Sequence, residues 1–190
     1  MSSEIPGSSQ EDSLESQDRP KPSTLYHASS NRNIEEFTPR DEKVRDPEEG
    51  PGIFATPDKA IASIFIVPTD DRWVGSGKHN GVPYITISDR TRFAELDHGG
   101  AIYELPSNSF VNDPNKGLGI DEWFSPDPVR PLGKEEYQSG LEAMIQFGVQ
   151  VYFTDPETYN AMRKANDHGY EMLKGLTSEN QHRGINIREF

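Results

Sequence analysis

The chain has 190 residues, 32% hydrophobic and 27% charged, with Gly 16, Pro 15 and Cys 0, and carries a formal net charge of −13. The low apolar share and many turn-forming residues point to a loop-rich domain with a small core, and the missing cysteine excludes disulfides, thiol nucleophiles and thiolate metal sites. The acidic balance disfavours duplex nucleic acid, whose affinity is drawn from Lys and Arg on phosphates.

Residues 1–23 hold seven Ser and five acids, with Met1, Ile5 and Leu14 as the only apolar bodies. Such a segment cannot offset its ordering entropy and is expected to form a disordered acidic, Ser-rich tail. It has neither the basic nor the apolar region of a secretory signal. The domain is expected over 24–175, with 176–190 a polar C-terminal tail. No run of about 18 apolar residues marks a membrane span, so the expectation is a cytoplasmic protein with no membrane partner.

Within the domain, strand candidates fall at 24–28, 52–55, 82–88, 101–105, 121–125 and 149–154. Each is β-branched or aromatic and bounded by Gly, Pro, Asp or Asn. A first helix is expected to start with Thr56 as N-cap, Pro57 at N1 and Asp58 in the first turn, with Ala60, Ile61, Ile64 and Phe65 on one face. A second runs 90–96 behind Asp89. A third covers 134–147, with Tyr137, Leu141, Met144 and Ile145 on one face and Gly148 past its end. A fourth starts with Asp155 and Pro156 and continues toward Leu173, with Gly169 as a weak point. Segments 35–51 and 68–81 read as long loops, and Trp73 in the second is either a lid or a plug of the core. The pattern predicts an α+β domain of small, mostly antiparallel, split-barrel-like sheets with three to four helices.

Most chemical motifs are missing. There is no P-loop, no GxGxxG after a strand and no HExxH; Ser76 and Ser109 lack the context of a nucleophile elbow. Asp113-Pro-Asn-Lys-Gly lacks the terminal acid of a calcium loop. The five His are scattered, so no metal site is expected. Asp70 and Asp71 read as a solvated turn.

Three segments stand out together: Leu25-Tyr26-His27-Ala28-Ser29, then Gly52-Ile53-Phe54-Ala55-Thr56-Pro57, then Ile120-Asp121-Glu122-Trp123-Phe124. Their order resembles the ADP-ribosyltransferase superfamily, in the His–Tyr–Glu branch of diphtheria toxin and the poly(ADP-ribose) polymerases. The resemblance covers about 24–153 as short patterns. It implies that NAD is the substrate and that His27 bonds the adenosine ribose and helps seat the nicotinamide amide, with Tyr26 and Ser29 beside it. It implies that Phe54 replaces the Tyr that stacks on nicotinamide, without its hydroxyl, and that Glu122 holds the 2′-hydroxyl of the nicotinamide ribose. Ala28 stands where the family has Gly.

The residue types suit that chemistry on physical grounds. Loss of nicotinamide leaves an oxocarbenium-like ribose that a carboxylate stabilises, and an aromatic face with a His donor orients the leaving group. Glu104, Glu136 and Glu142 are alternative acids, and Gln150 an alternative polar contact, none in a better context. The acceptor is unknown, possibly a protein, or water in an NAD glycohydrolase. Two other readings compete: a non-catalytic interaction domain using the aromatic loops around Trp73 and Trp123, and an RNA 2′-phosphotransferase-like enzyme, against which the acidic balance counts.

Overall fold

The structure, a computed structural model, describes residues 20–39, 51–112, 121–165, 167 and 169–184. The expected N-terminal tail up to residue 19, most of the 35–51 loop, the Asp113 loop, His168 and the last six residues lie outside the described residues.

Strand β1 (Thr24–Ser29) pairs antiparallel with β5 (Gly100–Pro106), and β5 with β7 (Gly133–Tyr137). A short ribbon, β2 (Ile53–Ala55) against β6 (Trp123–Ser125), is antiparallel as well. The third sheet sets β3 (Val74–His79) antiparallel to β4 (Val82–Ile87), and β4 parallel to β8 (Gln150–Phe153). Six helices accompany these eight strands among the described residues: α1 (Lys59–Ser63), α2 (Arg90–Leu96), α3 (Gly140–Gln146), α4 (Pro156–Lys164), α5 (Tyr170–Leu173) and α6 (Glu179–His182). This is an α+β arrangement, and the sheets do not close into a barrel.

Helices α1 and α3 lie between two sheets. Ala60, Ile64, Met144 and Ile145 pack with Val74, Ile85, Ile87 and Val151 of the third sheet. Ala62, Ile66 and Ala143 pack with Ala28 and Ile102 of the first. The far face of the first sheet, Leu25, Tyr103 and Leu105, buries against Ile53, Ala55, Phe37, Phe110 and Val129. Each fully buried Ile or Leu here is worth about 1.5–3 kcal/mol of transfer free energy. The far face of the third sheet is different: register puts Gly75, Gly77, Tyr84, Thr86, Gln150 and Tyr152 there. Met162 of α4 and Leu173 of α5 cover part of it.

The structure corrects several expectations. The 68–81 segment contains β3, which turns into β4 through Asn80 (φ 48°) and Gly81 (φ 78°). Positive φ at both positions gives the tight hairpin turn whose twist matches the strands. Trp73 is 5% exposed and sits in the core, so it is a plug. The third helix does not begin at Lys134: residues 133–137 pair with β5 as an edge strand, and Ser139 caps α3 by accepting from the Glu142 amide. The first helix is capped by Asp58, which accepts from the Ala60 amide, because the Thr56 backbone is bonded to Tyr26. The fourth splits into α4 and α5 at Gly169, whose φ of 78° only glycine adopts readily. Helix α6 forms where the C-terminal tail was expected, with Ser178 and Asn180 fully buried. The two four-residue helices, α5 and α6, take the number above three to four.

Candidate functional site

Strands β1, β2 and β6, which bear the three sequence candidates, lie side by side. β2 pairs with β6 through Phe54 and Phe124, and an isolated bridge joins Tyr26 of β1 to Thr56, with amide-to-carbonyl bonds of 2.7 and 3.0 Å. Beyond that single bridge the ladder is not continued, and the Phe54 carbonyl accepts a 2.7 Å bond from His27 Nδ1. A carbonyl only accepts, so Nδ1 carries the proton, and in the neutral ring Nε2 presents a lone pair. The imidazole also meets the Phe37 ring in an edge contact, 4.6 Å between ring centres, and Phe37 meets Tyr103 at 5.1 Å.

Strand alternation then separates the candidates. His27 shares a face with Leu25, on the Phe37 and Tyr103 side. Phe54 lies on the opposite face, its ring 5.4 Å from that of Phe124 in an edge contact. Tyr26 belongs to that second face and packs with the cluster of Ala28 and Ile102, with Lys59 Nζ 5.1 Å from its ring centre. The Lys59 ammonium is bonded to Glu135 at 2.5 Å, which raises the lysine pKa and lowers that of the carboxylate.

Glu122 precedes β6 by one residue and is half-buried; its backbone carbonyl accepts from Asn112 Nδ2 at 2.6 Å. One step beyond the Ala55–Trp123 pair, the β2–β6 register runs to Thr56 and Glu122. Beside it, Asp121 takes the Lys78 ammonium at 2.8 Å, and Asp58 at the start of α1 stands 3.5 Å from the same group. Ser29 accepts from the Asn31 amide and forms a turn. Of the alternative acids, Glu104 is exposed on β5 and Glu136 lies on β7 rather than on a helix. Glu142, in the first turn of α3, pairs with Arg183.

Gln150 faces a separate cleft of about 480 Å³ on the far face of the third sheet, where its side-chain oxygen accepts from the Tyr152 hydroxyl. Sequence reasoning missed this face because it read 68–81 as a loop. The signal that would have found it is the Asn80-Gly81 pair ahead of Val82, a strong hairpin sign. Among the described residues no group of three or more His, Asp or Glu could hold a metal ion, and no helix is long and apolar enough to cross a membrane.

No family model matches the chain, and searches of the curated proteins and of the solved structures give no significant match.

Proposed function

We propose that the chain is an ADP-ribosyltransferase-like enzyme acting on NAD, or an NAD glycohydrolase where water is the acceptor. Glu122 is its carboxylate and His27 its ribose ligand. The observation that carries this reading is the 2.7 Å bond from His27 Nδ1 to the Phe54 carbonyl. It fixes Nδ1 as the donor and the orientation of the imidazole, and it ties β1 to the ribbon that leads to Glu122.

In the reaction the glycosidic bond breaks with its electron pair leaving on nicotinamide. Positive charge develops at the ribose carbon, and an anionic carboxylate stabilises it more in the transition state than in the bound substrate. Tyr26 and Phe54 supply aromatic surface on one face. Because His27 and Phe54 lie on opposite faces, NAD on this reading straddles the place where β1 and β2 part, rather than filling a cleft lined by all three side chains.

The interaction-domain reading draws less support: among the described residues Trp73 is buried, Trp123 packs against the Leu25 cluster, and the exposed large apolar side chains Phe65, Val111, Leu132 and Met172 sit on four separate segments.

The test is incubation with NAD while nicotinamide release is followed. Release by the wild-type chain that falls at least about 100-fold in Glu122→Gln supports the reading, since that substitution keeps shape and removes charge. Release equal in both proteins removes Glu122 from the mechanism. No release and no NAD binding would refute the reading.

A further inference from the structure

Glu122 stands one residue before β6, and β6 pairs with β2 over Ile53 to Ala55. The ladder stops just short of the proposed carboxylate, so side chains must fasten the segment in front of it. Two of the fastenings are side-chain bonds. Asn112 Nδ2 donates to the Glu122 carbonyl at 2.6 Å, and the Asp121 carboxylate accepts from the Lys78 ammonium at 2.8 Å. The second comes from another sheet.

Lys78 lies near the end of β3, opposite Pro83 and on the same face as Val74, which packs with α1 and α3. That face brings its ammonium to Asp58 at the start of α1, 3.5 Å from Oδ2. Asp58 Oδ1 accepts from the Ala60 amide at 2.8 Å, so one carboxylate both caps the helix and holds the lysine. The next residue, His79, takes the opposite face of the strand, where its ring stacks on Tyr170 of α5 with 3.2 Å between centres. The strand end is thus gripped on both faces, and Lys78 reaches out from a fixed support. The side chains of Lys78, Asp58 and Asp121 are 33%, 32% and 26% exposed, so solvent screens their charges less than at an open surface. Without the ammonium, two carboxylates that share one nitrogen would repel each other.

We propose that Lys78 is the positioning residue for Glu122. Its ammonium ties Asp121 to the α1 N-terminus and to β3, and so fixes the backbone from which the Glu122 carboxylate projects. The inference rests on the NAD reading and deepens it: the third sheet, which bears none of His27, Phe54 and Glu122, sets the distance between carboxylate and ribose. Stabilisation of an oxocarbenium-like carbon falls with that distance, and a displacement of about 1 Å can cost roughly 100-fold in rate. NAD binding on this reading draws on β1 and β2, so the loss falls on the chemical step and not on affinity.

Steady-state nicotinamide release by the full chain tests it, with Glu122→Gln as the reference. Lys78→Met should lower kcat about tenfold or more and leave KM for NAD within about twofold. Lys78→Arg, which keeps the charge, should restore kcat to within about threefold of the wild type. Asp121→Ala should lower kcat in the same way, and the double variant Lys78→Met/Asp121→Ala should be no slower than Lys78→Met, because both break one link. Should Lys78→Met fail to fold, Asp121→Ala decides alone, by the same split of kcat against KM. A Lys78→Met protein with wild-type kcat, while Glu122→Gln has lost release, would overturn this proposal and leave the NAD reading standing. A loss that Lys78→Arg does not restore, or one carried by KM, would overturn it as well. Absence of release from the wild type would overturn both.

Discussion

Asp97, just past the end of α2, is expected to be among the most sensitive surface-accessible positions in the chain. Its carboxylate accepts from the Ser139 hydroxyl at 2.7 Å, the Gly140 amide at 2.5 Å and the Leu141 amide at 3.0 Å, and also from the Gly99 amide at 3.2 Å. Two of these donors are first-turn amides of α3 that have no partner within the helix. Asp97→Ala removes bonds to a charged acceptor, each worth about 1.5–3 kcal/mol, and leaves the buried Gly140 amide without its partner. The bonds share one carboxylate and are not additive, so the expected loss is about 3 kcal/mol, short of their sum. At about 2–4 °C per kcal/mol for a chain of this size, the melting temperature falls by roughly 10 °C. Asp97→Asn keeps one acceptor oxygen and should lose about half as much. Urea unfolding, with unchanged slope and lowered midpoint, is the assay. A loss below about 1 kcal/mol for Asp97→Ala would refute the reasoning and mean that Ser139 alone caps α3.

Three further outcomes follow from particular contacts. Gly52→Ala would put a methyl 1.9 Å from the buried Phe124 ring, so the β2–β6 ribbon should be destabilised by about 1–3 kcal/mol in urea unfolding. Gly81→Ala forces a side chain into φ 78° at the hairpin turn and should cost about 1–2 kcal/mol, read the same way. The Asp155 carboxyl is held below its ordinary value of 3.8 by the Thr158 amide and hydroxyl at the start of α4. A depressed carboxylate pKa contributes stability above the unfolded value and loses it as pH falls through the folded one. The stability gap between wild type and Asp155→Asn, measured by thermal melts, should therefore be present at pH 6 and shrink as pH drops below about 4.

What could be read from the sequence was local. Asp89 and Asp155 do cap α2 and α4, because a cap needs a side chain and two or three following amides, all adjacent in the chain. Strands β1, β4, β5 and β8 show in runs of branched and aromatic residues. β3 does not, because Gly75 and Gly77 weaken any strand signal and only its pairing with Thr86 and Tyr84 makes it extended. Lys134-Glu135-Glu136 looks helical because charged residues suit exposed helix, yet Glu135 is drawn into the β5 ladder opposite Ile102. For the candidate site, the order of His27, Phe54 and Glu122 was legible, and their strands do adjoin. Which face each side chain takes depends on inter-strand register, and one residue of register reverses it.

The position of β1 also decides how the chain can fold. The first described strand ends its sheet but is held on both sides: Thr24 lies against Pro106 of β5, and on the other side a single bridge joins Tyr26 to Thr56. Both partners leave the ribosome after it, β5 much later. By contrast β3 and β4 meet through two turn residues and can close on the microsecond scale. The third sheet is therefore expected to nucleate while β1, with Leu25 and Ala28 still uncovered, waits for distant partners. During synthesis that strand is the part most open to pairing with a neighbouring chain, and slowing translation after residue 29 prolongs its exposure.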